Sequence, residues 1–480
     1  MTTRILPSLV IALLLLGGVA AAGDTVNGLP LHIEKLSDNA IRLWVGDYIS
    51  STAVSALNTD KGIVVIDATE SPGLDKEFRK VIAREFGRDD FVYLINTHEH
   101  ADHTTGNGVY SDCEIIAHEN CAAGMKTRRA DSQRIIDWYK TRIPELENEL
   151  SKMEKGSDDY KKTKEDIVVK KMVLDSLESE VPLTFPTKTF SDSMKLDMGN
   201  MTLELYYMGG THTASDIFVL VPEEGLLFTG DMMADIWLTD TPGCLQAFAI
   251  RQGVERSMPL MLEHWKSLIA RKDEITDYVP AHWNGDLTYE GFVARYHYVD
   301  TLYSGIKKAA KEGKDLQSLF SEFDMQTKFP ELAGTPGFTE SWVHYGSVVA
   351  LWSDATGAVS ASEALATAIG EKGAKAAVKE IAAARAKKSD KYYFLEAEFN
   401  RLGYRYLGEE KYEEAIAVFA LNVDMYPESW NVYDSLGEAY MKSGKHDLAV
   451  QNYEKSLELN PENENGQRML DEIHTALAKK

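Results

Sequence analysis

The chain has 480 residues, of which 44% are hydrophobic and 26% charged, which is ordinary for a soluble globular protein of more than one domain. Its formal net charge is −24, from 51 basic against 75 acidic residues, and that excludes nucleic acid and an anionic membrane surface as main partners.

At the N-terminus Arg4 precedes the apolar run Ile5 to Leu16, and Ala20-Ala21-Ala22 closes it with small residues. This is the pattern of a signal peptide over 1–22, cut before Gly23, and the run is short for a transmembrane helix. The expectation is a periplasmic or secreted protein with no membrane attachment after cleavage. The three cysteines, Cys113, Cys121 and Cys244, lack zinc-finger spacing. Cys113 and Cys121 either bridge in an exported chain or are buried thiols, and all three are read as structural.

Residues 31–67 read as short strands. Ile41-Arg42-Leu43-Trp44-Val45 alternates, and Gly62-Ile63-Val64-Val65-Ile66 is a continuous apolar strand that ends in Asp67. A helix is expected over Leu74 to Phe86, then the strand Phe91-Val92-Tyr93-Leu94-Ile95. That strand delivers His98-Glu99-His100-Ala101-Asp102-His103 into a loop, with four potential metal ligands in six residues. In an extended backbone, side chains two apart point the same way, so His98 and His100 can grip one ion. Asp102 and His103, beyond the turn, can face a second. Imidazole and carboxylate together suit zinc, and also iron or manganese.

Residues 122–182 are rich in Lys, Glu and Asp with helical spacing, and read as an inserted helical hairpin hinged near Gly156 and ended by Pro182 and Pro186. Such charge runs are usually solvated helix faces; a lid or a dimer contact is the functional alternative. Strands resume at Leu203–Tyr207, Ile217–Val221 and Leu226–Phe228. A helix spans Gly253 to Ala270, and the strand Tyr278-Val279 leads into Pro280-Ala281-His282. Helices fill 288–390, with the Ala/Lys-rich piece 372–388 as a surface helix.

Three further ligand types sit at strand-to-loop transitions: His212 in Gly209-Gly210-Thr211-His212-Thr213, Asp231 after Phe228-Thr229-Gly230, and His282 after Pro280-Ala281. A rigid sheet can hold each ligand accurately while the loop stays open to substrate. With these parts in this order the chain resembles the metallo-β-lactamase fold superfamily over residues 30–300. The resemblance implies an α/β fold, an αββα sandwich with the metals at one sheet edge. Carried over by position, His98, His100 and His212 would hold the first ion. Asp102, His103 and His282 would hold the second, and Asp231 would bridge both. Asp102 and Asp231 can also relay protons, and Asp67 would orient a ligand histidine. The implied cofactor is two zinc ions, with iron or manganese as alternatives. The thiolate variant of the site is disfavoured because position 231 is Asp, and a flavodiiron pattern because position 100 is His.

In the last stretch, Phe399-x-x-Leu402-Gly403-x-x-Tyr406 returns 34 residues later as Tyr433-x-x-Leu436-Gly437-x-x-Tyr440. Ala415, Phe419 and Pro427 return as Ala449, Tyr453 and Pro461, so this end resembles tetratricopeptide repeats. The expected organisation is a signal peptide over 1–22, a catalytic domain over 23–300 with its insertion, a helical connection over 301–390, and an all-α repeat domain over 391–480. The repeats either dock a protein partner, brace the chain or self-associate.

The function implied is an exported zinc-dependent hydrolase acting on a small ester, lactone, lactam, thioester or sulfate ester. Two alternatives remain: a mononuclear iron enzyme on the same fold, acting on persulfides through His98, His212 and Asp231, and a periplasmic scaffold working through its repeats. Trp237, Trp283 and Cys244 are read as loop, wall or packing residues. His118, His264, His297 and His344 are candidate substrate contacts weighed against structural histidines.

Overall fold

The computed structural model describes residues 25–48, 52–130, 132–179, 183–233, 250, 254–282, 287–333 and 341–478. The expected signal peptide, Trp237, Cys244 and Trp283 lie outside these residues. Among the described residues no helix is long and apolar enough to cross a membrane.

Two units emerge, one of residues up to 303 with 325–347, the other of 304–324 with 348–480. In the first, a sheet of eight strands runs in sequence order: β1 (Thr25–Val26), β2 (Leu29–Lys35), β3 (Ala40–Val45), β4 (Val54–Thr59), β5 (Gly62–Ile66), β6 (Phe91–Ile95), β7 (Glu114–His118) and β8 (Lys188–Phe190). A five-stranded sheet follows, built from β9 (Ser193–Asp197), β10 (Thr202–Tyr207), β11 (Ile217–Val221), β12 (Leu226–Gly230) and β13 (Asp277–Pro280). Pairing is antiparallel among β2–β5 and β9–β12, and parallel from β5 to β8 and between β12 and β13.

The side-chain period of two explains the layers. On β5, Val64 and Ile66 join Leu205, Val219 and Phe228 in one core between the sheets. Ile63 and Val65 point the other way, into a core with Leu74, Phe78, Val81 and Ile82 of helix α1 (Pro72–Phe86). Both faces of the strand are covered, so it reads as an unbroken apolar run. Helix α1 starts where the Ser71 hydroxyl accepts from Leu74 N at 3.4 Å with Pro72 in the first turn, and stops at left-handed Gly87. On the far face of the second sheet, Phe218 packs on Trp265 of α6 (Met258–Ala270) and Phe292 of α7 (Tyr289–Lys311). The result is the expected four-layer α/β/β/α sandwich.

Ahead of those helices lie the one-turn α2 (Ala101–Thr104) and the insertion: α3 (Cys121–Ala130), α4 (Ser132–Lys152) and α5 (Asp158–Glu178). Gly156, at φ 92°, sits in the turn of the hairpin, where the sequence placed its hinge. Tyr139, Ile143, Leu146, Ile167 and Val173 form the hairpin's own apolar seam.

Two sequence readings are corrected, and an open one is decided. Strand β3 does not simply alternate: Arg42 is buried, because its guanidinium donates to the Pro280 and His282 carbonyls. Of the two alternatives for Cys113 and Cys121, the structure shows the buried free thiols and no bridge. The piece at 372–388, helix α12 below, is not wholly a surface helix, since it buries Ala377 and Ile381.

The second unit is helical. Beyond α7 come α8 (Leu316–Glu322) and, in the first unit, α9 (Met325–Lys328), then α10 (Ser341–Thr356), α11 (Ala361–Lys372) and α12 (Ala374–Ala386). A two-residue parallel pair, β14 (Val359–Ser360) with β15 (Tyr392–Tyr393), was not anticipated. The repeats form the helix pairs α13 (Glu396–Gly408) with α14 (Tyr412–Met425) and α15 (Trp430–Lys442) with α16 (His446–Leu459), closed by α17 (Glu464–Ala478).

Candidate metal centre

The ends of β5, β6, β10, β12 and β13 each release a loop that carries a site residue. All seven predicted residues meet there, in two groups. His98, His100, His212 and Asp231 form one, and Asp102, His103, His282 and Asp231 the other, with the ligand atoms of each group within 4.8 Å of one another.

The two carboxylate oxygens of Asp231 divide between the groups. Oδ2 lies 3.7 Å from His98 Nε2 and 3.5 Å from His212 Nε2, while Oδ1 lies 3.4 Å from His103 Nε2 and 3.3 Å from His282 Nε2. Asp102 Oδ2 adds distances of 3.3 Å to His103 Nε2 and 3.5 Å to His282 Nε2. His100 Nδ1 and His212 Nε2 are 3.1 Å apart. A tetrahedral centre with bonds of about 2.0–2.2 Å has edges of roughly 3.3–3.6 Å, so these spacings fit divalent ions. Among the described residues, the buried atoms His98 Nε2, His103 Nε2, His282 Nε2 and Asp231 Oδ1 have no hydrogen-bond partner, although buried polar atoms are nearly always bonded. The donor set and these orphaned atoms agree.

The surroundings fix the rings. Asp67 Oδ1 accepts from Thr97 N at 2.7 Å, and its Oδ2 accepts from the Thr97 hydroxyl at 2.7 Å and faces His103 Nδ1 at 3.1 Å. Because the Thr97 hydroxyl donates to Asp67, its oxygen is left to accept from His98 Nδ1, 3.0 Å away. The network thus assigns the proton to Nδ1 of both His98 and His103 and turns each Nε2 lone pair into the centre. Asp67 holds this post in the left-handed region, at φ 63°.

The His212 loop is built around Asp216. Its carboxylate accepts from the backbone N–H groups of Thr211, His212 and Thr213 at 2.9–3.0 Å and from the Thr213 hydroxyl at 2.6 Å. Burial pushes Asp216 up to about 6 against these hydrogen bonds. The preceding glycines are required: both are left-handed, and a Cβ on Gly209 would stand 2.5 Å from the Ser257 carbonyl. Glu99, between two ligands, is buried and accepts from the Ser215 hydroxyl and from Ala214 N at 3.4 Å, tying the two histidine loops together.

Electrostatically the two groups differ. Burial holds His98 well below its ordinary range, helped by the neighbouring His103. For His103 burial acts downward too, but Asp102, Asp231 and Asp67 outweigh it and hold the ring well above its usual value. Asp231 and Asp102 likewise overcome burial at His282 and push it up to about 9. The same imidazolium charges outweigh burial at Asp231 and keep it well below the carboxylate range.

Glu70 escaped the sequence reading. It is half-buried, makes no side-chain hydrogen bond or ion pair among the described residues, and senses Asp102, His103, His282 and Lys170. Burial, then Asp102, push it up to about 8. Its only sequence signal is an acidic residue between the strand end at Asp67 and the helix start at Ser71. Three of the candidate substrate histidines make packing or hydrogen-bond contacts within the fold. His118 stacks on Tyr207 with ring centroids 3.7 Å apart, His264 bonds the Tyr207 carbonyl at 2.8 Å, and His344 meets the Tyr298 hydroxyl at 3.1 Å. His297 lies against the Tyr296 ring. None of the four belongs to either ligand group.

Comparison with known proteins agrees with this geometry. The family model described as "Metallo-beta-lactamase superfamily" matches residues 45–282, and that described as "Tetratricopeptide repeat" matches residues 435–463. The chain carries both kinds of domain, and all seven clustered residues fall inside the first match. Among curated proteins it is similar to a metallo-beta-lactamase type 2 of Bacteroides fragilis, 39% identical over 59 residues, which are 12% of this chain and 24% of that protein. It is also similar to the 2,4-dinitroanisole O-demethylase subunit alpha of Nocardioides sp. (strain JS1661), 34% identical over 95 residues, which are 19% of this chain and 28% of that one. The chain thus spans about a quarter of the length of these curated relatives. Similar solved structures include a metallo-beta-lactamase from Pontibacter korlensis, at 16% identity and TM-score 0.34, covering 56% of this chain and 99% of that one. Another is the sec-alkylsulfatase Pisa1 from Pseudomonas sp., at 12% identity and TM-score 0.46, covering 89% of this chain and 65% of that one.

Proposed function

We propose that this chain, with its metallo-β-lactamase superfamily domain, is an exported zinc-dependent hydrolase that cleaves a small ester, lactone, lactam, thioester or sulfate ester. The observation that carries the reading is the division of Asp231: one oxygen faces His98 and His212, with His100 in the same group, and the other faces His103 and His282 beside Asp102. Two complete ligand groups sharing one carboxylate suit a pair of divalent ions better than a single iron. His98, His100 and His212 would hold the first ion, Asp102, His103 and His282 the second, and Asp231 both. Such ions supply a water of lowered pKa and a clamp for the attacked and leaving oxygens.

The protein's own groups do the rest. Asp67 and Thr97 fix the tautomers of His98 and His103, so no ring rotation is needed when a ligand arrives. Asp102, with 29% of its side chain exposed, is the member of the centre open to solvent and is suited to pass a proton outward. Export is supported by Arg4, the run Ile5–Leu16 and Ala20–Ala22. Partner docking or self-association through residues 391–480 is supported by the repeat match.

The test is metal analysis of purified mature protein, combined with a panel of chromogenic esters, lactones, β-lactams and sulfates. A nitroaryl methyl ether belongs in the panel because the Nocardioides relative is named for such a substrate. Near two zinc ions per chain, with hydrolysis lost in His98→Ala, is the expected result. Fewer than one ion per chain, or full activity in that variant, overturns the reading.

A further inference from the structure

The helical insertion has so far no role. Its helix α5 carries Glu165, a carboxylate with only 8% exposure. Burying a carboxylate costs several kcal/mol unless strong donors meet it. Here the donors are the backbone N–H groups of Asp47, at 3.0 Å, and Tyr48, at 2.8 Å, in the segment that leaves β3. Charge-assisted bonds of this kind are roughly twice as strong as neutral ones, so α5 grips this segment firmly. Lys161, one turn earlier on α5, lies 5.7 Å from the Tyr48 ring centre.

The gripped segment leads to the metal centre. Thr52, four residues after Tyr48, forms a β-bridge with His282, and Ala53 N donates to the Ala281 carbonyl at 2.7 Å. Arg42, at the other end of the same connection, donates to the Pro280 and His282 carbonyls. The backbone of His282 is therefore held by the residues on both sides of the segment that Glu165 anchors. None of these bonds reaches His98, His100 or His212.

We infer that the insertion is a positioning element for the second ligand group, and that Glu165 sets the place of His282 through Asp47 and Tyr48 at the end of β3, the strand whose Arg42 holds the His282 carbonyl. The inference rests on the dinuclear reading above. Glu165 touches neither ligand nor substrate; it acts through the backbone it holds.

Calorimetric titration of the metal-free full chain with zinc tests this without recourse to activity. The parent is expected to bind two ions. In Glu165→Ala the first ion should bind as in the parent and the second about tenfold or more weakly, the usual scale for losing a group that orients a ligand. Glu165→Gln keeps one carbonyl acceptor for the two N–H groups and should recover most of the loss. If Glu165→Ala does not fold, the Gln variant carries the comparison, with the same direction and a smaller effect. Two ions bound with parental affinities in both variants would overturn the inference and leave the dinuclear reading standing. Equal weakening of both ions with a lowered melting temperature would reduce Glu165 to a structural residue. A parent that binds a single ion would overturn both the dinuclear reading and this inference.

Discussion

Asp67 Oδ2 lies 3.1 Å from His103 Nδ1 and also accepts the Thr97 hydroxyl that braces His98, so one carboxylate oxygen sets a ring in each ligand group. Asp67→Asn preserves size and tolerates the left-handed backbone at this position, yet it changes the polarity of the contact. An amide nitrogen in place of Oδ2 would demand an acceptor at His103 Nδ1 and move that ring's proton to Nε2, where the metal should bind. We expect the variant to melt close to the parent and to bind zinc about 10–100-fold more weakly, read by titration against a competing chelator. Parental zinc affinity would show that Asp67 does not fix these tautomers.

The opposite electrostatics of His98 and His103 predict a pH signature. Metal can bind only unprotonated imidazole. Burial keeps His98 neutral at all ordinary pH, whereas His282, pushed up to about 9, and His103, held well above its usual range, carry protons in the metal-free protein. A raised value means the proton is present below it and competes with the ion. Uptake at the Asp102–His103–His282 group should therefore weaken steeply as pH falls from about 8 to 6, by up to roughly a hundredfold per unit for two displaced protons. At the other group His98, held well below its usual range by burial, should contribute no displaced proton. Titrations at several pH values, in buffers of different ionisation enthalpy, would count the protons released. Equal proton release for both ions would contradict this assignment.

The ligands were legible because each is a polar side chain set at the end of an apolar strand, an arrangement that sequence displays directly. The strands carrying them were also legible, since β6 and β12 are mostly apolar and β10 and β13 were read at Leu203–Tyr207 and Tyr278-Val279. What escaped depends on contacts between distant segments. Arg42 looks like the polar face of an alternating strand, but it reaches carbonyls about 240 residues away. Glu99 looks like a solvent-facing residue between two ligands, but it braces the Ser215 loop. Glu165 belongs to a charged stretch that reads as surface, and only its burial against Asp47 and Tyr48 distinguishes it; Glu70 is a lone acidic residue in a turn, distinguished only by its nearness to the second ligand group. The edge strands β8 and β9 were missed because they are short and polar, as strands at sheet edges often are.

Asp75 supplies a stability test. Wholly buried, it accepts from Thr69 N at 3.1 Å and the Thr69 hydroxyl at 2.7 Å, and burial outweighs these bonds to push it up to about 7. The unfolded chain releases this proton near its ordinary value of 3.8, and the folded chain keeps it until about 7. Between those values the unfolded state binds fewer protons, so stability falls as pH rises, and it levels off above 7. Asp75→Asn can keep both contacts to Thr69 with no proton to lose. Urea unfolding should show the parent losing about 2–3 kcal/mol relative to this variant between pH 5 and pH 7. A constant difference across that range would refute the buried protonated state.

The repeat glycines offer a graded packing test. A Cβ on Gly403 would stand 2.4 Å from Cε1 of the buried Phe419, whereas on Gly437 it would meet the Tyr453 ring at 3.2 Å. Alanine gains about 1 kcal/mol over glycine in a helix interior, and overpacking a full core costs about 1–3 kcal/mol. At Gly403 the clash wins, because Phe419 and its neighbours Leu402, Val418 and Leu421 are buried and closely packed. At Gly437 a shift of a few tenths of an ångström relieves the contact, so the two effects nearly cancel. Gly403→Ala should therefore lower the unfolding free energy of the helical unit by about 1–2 kcal/mol, while Gly437→Ala stays within about 0.5 kcal/mol of the parent, both read by circular dichroism in urea. Equal losses at the two positions would mean that the α13–α14 and α15–α16 pairs are packed equally tightly, contrary to their geometry.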